Sequence, residues 1–175
     1  ITVSGGTATN YTLNYKQGML NIKERPIDPA IVTANNLTMV YGDDVPTLTY
    51  TSEGGALNGT PKLSTTATKA SSVGTYPIKV EKGTVTNEAV TYVDGTLTIE
   101  KAPLTVSVED VTITEGDAIP SFTLIYEGWK NNDTEATAFS VKPSARTTAK
   151  SESKAGTYPI NIRSGIAKNY TITYQ

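Results

Sequence analysis

Gly74-Thr75-Tyr76-Pro77-Ile78-Lys79-Val80 is answered 82 residues later by Gly156-Thr157-Tyr158-Pro159-Ile160-Asn161-Ile162. In the first copy Tyr76, Ile78 and Val80 alternate with Pro77, Lys79 and Glu81. A period of two marks a strand with one buried face. The second copy repeats the alternation as Tyr158, Ile160 and Ile162 against Pro159, Asn161 and Arg163. Proline has no N–H to give a ladder, so each strand is expected to start at its proline or run along an edge there.

Outward from this pair the self-similarity continues, and internal repetition decides the architecture before any single element does. Thr65-Thr66-Ala67 recurs as Thr147-Thr148-Ala149, Gly83 as Gly165, Asn87 as Asn169 and Tyr92 as Tyr174. A third, partial copy opens the chain: Val3, Gly6, Asn10, Tyr15, Gly18, Leu20 and Ile22 map at a constant shift of 77 onto Val80, Gly83, Asn87, Tyr92, Gly95, Leu97 and Ile99. Upstream, Tyr41-Gly42-Asp43-Asp44-Val45-Pro46 matches Glu115-Gly116-Asp117-Ala118-Ile119-Pro120 at a shift of 74, so the later copy carries an insert between its two anchors. The chain divides into residues 1–24, the C-terminal part of a preceding repeat; 25–101, a full repeat; and 102–175, a repeat expected to lack its last strand. Lys23-Glu24-Arg25-Pro26 and Glu100-Lys101-Ala102-Pro103 form the joints, too short to act as flexible linkers. Units of this size have small cores, so contacts between neighbouring repeats are expected to matter.

Within a unit, Val90-Thr91-Tyr92-Val93-Asp94-Gly95-Thr96-Leu97-Thr98-Ile99 reads as a hairpin closed by Asp-Gly in a type I′ turn. That register sets Tyr92 opposite Leu97 and Val90 opposite Ile99 on the buried face, with Thr91, Val93, Thr96 and Thr98 outside. The opening copy repeats it with Leu13 and Tyr15 opposite Ile22 and Leu20 across Gln17-Gly18. Leu104, Val106 and Val108, then Val111 and Ile113, predict a first strand broken at Glu109-Asp110. Gly42-Asp43 and Gly116-Asp117 read as turns. The one helical signal is at residues 132–138, where Asn132 and Glu135 have capping-box spacing. The fold class is mostly β: tandem small β-sandwich or β-grasp-like modules, with at most one short helix in the second full repeat.

Composition narrows the function classes. Tyr outnumbers Phe ten to two, which suits strands. Fifteen basic and seventeen acidic residues, mixed along the chain, give no basic stripe for nucleic acid. No apolar run is long enough to insert in a membrane as a helix. Cysteine and histidine are absent, which removes disulfides, thiolate metal sites and the commonest general base. Catalysis is therefore not expected, and neither is a cofactor.

The set formed by Tyr41-Gly42-Asp43, a following Pro and Leu-x-Tyr, Leu63-Ser64-Thr65-Thr66-Ala67, Gly74-Thr75-Tyr76-Pro77-Ile78 and Asp94-Gly95-Thr96-Leu97-Thr98-Ile99 resembles the MBG domain of the YGX type. The resemblance covers essentially the whole chain. The later copy departs from it at Glu115, yet Gly128-Trp129-Lys130-Asn131-Asn132-Asp133-Thr134-Glu135 looks like a Gly-Phe-x-x-Gly-Asp-Thr-Glu stretch of the family that the earlier copy has lost. The resemblance implies an extracellular or bacterial cell-surface location, as in large Bacteroidetes surface proteins and adhesins, and a non-enzymatic spacer or adhesive role. It carries no binding residues to transfer.

Trp129, beside Tyr126, is the candidate binding aromatic, since an exposed indole stacks on sugar rings; packing within the insert is the competing role. Asp43, Asp44, Asp117 and Glu115 beside glycines have the donor type for calcium but not the spacing of a calcium loop, and Asp after Gly is ordinary turn chemistry. Asp133 and Glu135 lack a second carboxylate placed across a cleft and read as a solvated helix start. The expected partners are neighbouring repeats of the chain, with host glycan or mucin for an adhesin. Residues 1–24 are further expected to lend strands to the open end of another molecule, giving head-to-tail association.

Overall fold

The computed structural model describes residues 4–24 and 27–175. Arg25 and Pro26 of the first predicted joint, and Val3 of the opening copy, lie outside the described residues. Residues 4–24 form no strand and lie exposed. The hairpin expected across Gln17-Gly18 is not formed; instead the Tyr15 hydroxyl accepts from the Gly6 N–H at 2.8 Å.

The first module is built from β1 (Ala30–Ala34), β2 (Leu37–Val40), β3 (Tyr50–Gly54), β4 (Lys62–Thr65), β5 (Gly74–Glu81), β6 (Val90–Val93) and β7 (Gly95–Glu100). They make two sheets, ordered β3-β1-β6 and β2-β7-β5-β4. β1 packs across onto β5 and β7. Val32 and Ala34 from one sheet and Met39, Ile78, Val80, Leu97 and Ile99 from the other close the core between them. Tyr76, Ile78 and Val80 face inward as their alternation requires, and β4 pairs β5 only from Ile78 onward, so the flank beside Pro77 is an edge.

The predicted hairpin at Asp94-Gly95 is the main correction. β6 runs parallel to β1, whereas β7 runs antiparallel to β5 and parallel to β2, so Val93 and Gly95 belong to different sheets. The inward faces were nonetheless as expected, with Leu97 and Ile99 buried and Thr91 and Val93 outward. Long-range contacts override the turn chemistry here. A Cβ on Gly95 would lie 2.6 Å from the Ala34 carbonyl oxygen, so glycine is needed for close approach rather than for a left-handed turn. The Asp94 carboxylate accepts from the Val80 N–H at 3.0 Å and pairs with the Lys79 ammonium, which tethers the crossing to β5.

The second module comprises β8 (Ala102–Val108), β9 (Leu124–Glu127), α1 (Glu135–Ala138), β10 (Phe139–Val141), β11 (Ser144–Thr147), β12 (Ile160–Arg163), β13 (Ile166–Ala167) and β14 (Tyr170–Tyr174). Its β14-β8-β9 sheet repeats β6-β1-β3, parallel on one side and antiparallel on the other. β11 pairs β12 with Ser144 opposite Arg163, as β4 pairs β5 with Lys62 opposite Glu81. The repetition extends to single hydrogen bonds: Tyr76 donates to the Ser72 carbonyl at 2.8 Å and Tyr158 to the Lys154 carbonyl at 2.9 Å.

The modules differ where the four-stranded sheet stands in the first. Residues 111–114, the counterpart of β2, form no strand, and no described strand occupies the place of β7. Val111, Ile113 and Tyr158 are left 46%, 43% and 38% exposed, although the same pattern predicted a buried face. The expected cap also shifts. Asn131 and Asn132 take left-handed conformations in a tight turn closed by the Asp133 N–H and the Lys130 carbonyl, so the helix starts after Thr134, whose N–H donates to Thr137 Oγ1 at 2.9 Å.

Candidate functional site

The joint between the modules gathers hydrogen bonds, an ion pair and ring contacts from both sides. β7 ends at Glu100 and β8 begins at Ala102, leaving Lys101 alone between two central strands. Beside it, the Tyr41-Gly42-Asp43 turn meets the 128–133 stretch of the second module. The turn is closed by the Asp43 N–H donating to the Val40 carbonyl at 3.0 Å. Gly42 sits at φ +86°, and a Cβ there would lie 2.4 Å from the Lys130 Cβ; only glycine lets the two backbones come this close.

Tyr41 is 4% exposed, its ring meeting the edge of Tyr170 at 5.6 Å and 82°. Its hydroxyl donates to Asp133 Oδ2 at 3.0 Å, and the Tyr170 hydroxyl donates to the same oxygen at 2.7 Å. Hydrogen bonds to an ionised acceptor are stronger than neutral ones, so one carboxylate oxygen clasps a tyrosine from each module. The Lys130 N–H donates to the Tyr170 hydroxyl at 3.0 Å, and burial, reinforced by the bond to Asp133, pushes the Tyr170 pKa up and keeps it protonated. Around this centre the Val73 N–H donates to Asn169 Oδ1 at 3.1 Å, and Asn131 Nδ2 to the Lys69 carbonyl at 3.0 Å. Lys130 and Asp43 make an ion pair at 3.0 Å, partly exposed and worth little beside the rest. Buried apolar residues of both modules, among them Val32, Met39, Tyr41, Leu104, Phe139 and Tyr170, belong to one cluster.

Trp129 and Tyr126, the aromatic candidates read from the sequence, are half-buried in the second module. Trp129 lies 5.2 Å from Tyr126 in a tilted arrangement and edge-on to Tyr170 and Phe139 at 5.4 and 6.0 Å. The indole thus backs the joint by supporting Tyr170. The Tyr126 hydroxyl is buried without a hydrogen-bond partner among the described residues, and burial, with the Glu135 carboxylate nearby, pushes its pKa up to about 12.

The acidic residues considered for calcium are dispersed. Asp43 engages Lys130, Asp44 engages Lys69 at 3.3 Å, Asp117 accepts from the Thr114 N–H at 2.9 Å, and Glu115 takes Lys154 and the Ala155 N–H. Among the described residues no three acidic side chains converge on one point. Asp133 belongs to the joint, and Glu135 lies 3.7 Å from Lys142. No described helix is long and apolar enough to cross a membrane.

The tyrosine–aspartate–tyrosine clasp was not foreseen as a site, although its signal was in the divergence of the copies. The earlier copy keeps Tyr41 where the later has Glu115, and the later copy alone keeps the stretch around Asp133 and has Tyr170 in place of Glu88. Each module retains the half of the joint that its neighbour needs.

Comparison with known proteins agrees with these repeats. No curated protein and no solved structure matches the chain. The family described as MBG domain (YGX type), a repeat typical of extracellular surface proteins, matches residues 30–98 and again residues 104–175. The chain belongs to the MBG domain (YGX type) family and carries its repeat in two tandem copies.

Proposed function

We propose that this chain is a non-catalytic spacer of a bacterial cell-surface protein, a stalk segment that holds a distal part at a set distance and angle. The observation that carries the reading is the clasp: Tyr41 and Tyr170, one from each module, donating to a single Asp133 oxygen beside a one-residue link. A spacer works by fixing direction, and an interface with a shared core and complementary hydrogen bonds removes the domain motion that a small polar interface leaves. The alternative, an adhesin module for host glycan or mucin, needs aromatic faces turned to solvent. The engagement of Trp129 with Tyr126, Phe139 and Tyr170 favours the spacer.

The chain has no cysteine, so two introduced ones label cleanly. Spin labels at Thr51→Cys and Ser144→Cys, on exposed strand positions of the two modules, should give one narrow distance distribution in solution. A broad distribution would remove the spacer reading. Binding to a glycan array or to mucin that Trp129→Ala abolishes would establish the adhesin instead.

A further inference from the structure

We infer that Asn58 is a site of spontaneous, enzyme-free deamidation, and that its β-linked product unfastens the loop it belongs to. Of the asparagines in the chain, Asn58 alone is followed by glycine; the others precede Tyr, Ile, Leu, Glu, Asn or Asp. Asn58 and Gly59 lie in the connection between β3 and β4, and both are exposed. Among the described residues neither the Asn58 side-chain amide nor the Gly59 N–H has a hydrogen-bond partner. By contrast, the side chains of Asn35, Asn36, Asn87, Asn131 and Asn169 are each engaged.

The reaction needs only water. Base removes the proton from the Gly59 amide, and the nitrogen attacks Asn58 Cγ. The new C–N bond closes a five-membered succinimide while Nδ2 departs as ammonia, taking a proton from solvent. Water then opens the ring. Cleavage at Cγ leaves aspartate at position 58 with an ordinary backbone; cleavage at the main-chain carbonyl routes the chain through Cγ, as isoaspartate. Both products exchange a neutral amide for a carboxylate. A following residue without a Cβ leaves the attacking nitrogen unhindered. The fold demands one here: Gly59 sits at φ +100°, and a Cβ on it would lie 2.3 Å from the Thr84 carbonyl oxygen. The packing that keeps glycine at position 59 therefore also keeps the reactive pair.

The main chain of Asn58 is what holds the loop down. Its N–H donates to Asn87 Oδ1 at 2.7 Å, and its carbonyl accepts from the Thr86 N–H at 2.9 Å. Asn87 Nδ2 donates to the Ala56 carbonyl at 2.8 Å, and the Thr84 N–H to the Thr60 carbonyl at 2.9 Å. These bonds fasten residues 56–60 to the segment that leads into β6. Aspartate with an ordinary backbone leaves each of them in place. Isoaspartate adds a methylene to the chain between the residue 58 N–H and Gly59, and it moves the acceptor for Thr86 off the main chain. The bonds on either side of Gly59 then fall out of register.

The test holds the 175-residue chain in warm, mildly alkaline buffer and follows it by peptide mapping, with fragmentation that separates aspartate from isoaspartate. The fragment containing residue 58 should gain acid at least about tenfold faster than those containing Asn36-Leu37 or Asn87-Glu88, since only Gly59 leaves the attacking nitrogen open. Both linkages should appear, and the rate should rise with pH. Asn58→Gln should abolish the conversion at this position, because it would have to close a larger ring, and should leave unfolding unchanged, because the Asn58 side chain makes no bond. Hydrogen exchange tests the second half of the inference. The Thr86 amide should lose protection in the isoaspartate product and keep it in the Asn58→Asp chain. Conversion at Asn58 no faster than at the other asparagines, or equal protection of Thr86 in the isoaspartate and aspartate chains, would overturn the inference.

Discussion

Replacing Tyr41 by Phe tests the joint with one oxygen atom. The ring and its edge contact with Tyr170 stay, while the bond to Asp133 is lost. A hydrogen bond to a charged acceptor contributes about 1.5–3 kcal/mol, and Asp133 keeps its second donor, so the lower end, about 1.5 kcal/mol, is expected. With a urea dependence of about 2 kcal/mol per molar, the unfolding midpoint should fall by roughly 0.7 M. The reporter lies on the other side of the joint: Trp129 is the only tryptophan, and its ring is 5.4 Å from Tyr170. If the clasp couples the modules, a substitution in the first shifts Trp129 fluorescence in the second, and fluorescence and far-UV circular dichroism move together as one transition. In a cycle with Asp133→Asn, the two losses should be non-additive by about 1 kcal/mol, because both remove the same bond. An unchanged Trp129 midpoint with a shifted dichroism transition would refute the reasoning, since it would leave the modules to unfold independently.

Gly42→Ala should destabilise by about 2–3 kcal/mol in the same titration, combining a left-handed backbone with a 2.4 Å approach to the Lys130 Cβ; Gly116→Ala, at φ +96° with open space around it, should cost only about 1 kcal/mol. Gly95→Ala should cost about 2–3 kcal/mol by crowding the Ala34 carbonyl, and near-neutral behaviour in thermal unfolding would show that this close approach does not require glycine. Asp94 has its pKa lowered chiefly by the hydrogen bond from Lys79, so its contribution is present above the ordinary carboxylate range and is lost as pH falls through the lowered value; Asp94→Asn should flatten that acid limb. Tyr126→Phe should be neutral or stabilising by up to about 1 kcal/mol, since it removes a buried hydroxyl without a partner. With the Tyr126 pKa raised to about 12, stability should be full below pH of about 10 and fall as pH rises toward 12, less steeply in the Phe variant.

What could be read in advance was whatever depends on periodicity and repetition. Alternation along Tyr76, Ile78 and Val80 named the buried face, and the shift of 82 carried a strand pair into the second module with its register intact. The partners of the strands were less legible. Asp94-Gly95 has the composition of a tight turn, and nothing local shows that Val93 will pair with Thr33 and Gly95 press on Ala34, contacts some sixty residues apart. The joint was hidden for a related reason: Tyr41, Asp133 and Tyr170 are distant in sequence, and only their unequal retention between copies marked them. Val111 and Ile113 promised a buried strand, but a hydrophobic pattern reports readiness for burial, and the neighbour that would cover them is not among the described strands.

The single residue Lys101 between β7 and β8 has a mechanical consequence. Tension passed along the polypeptide reaches β7, held by β2 and β5, and then β8, held by β14 and β9. Each is gripped on both flanks by bonds lying across the direction of pull, so the bonds of a strand share the strain and must shear together instead of opening one after another. A tether under drag or flow gains from such a linkage, because its weakest point is no longer the hinge.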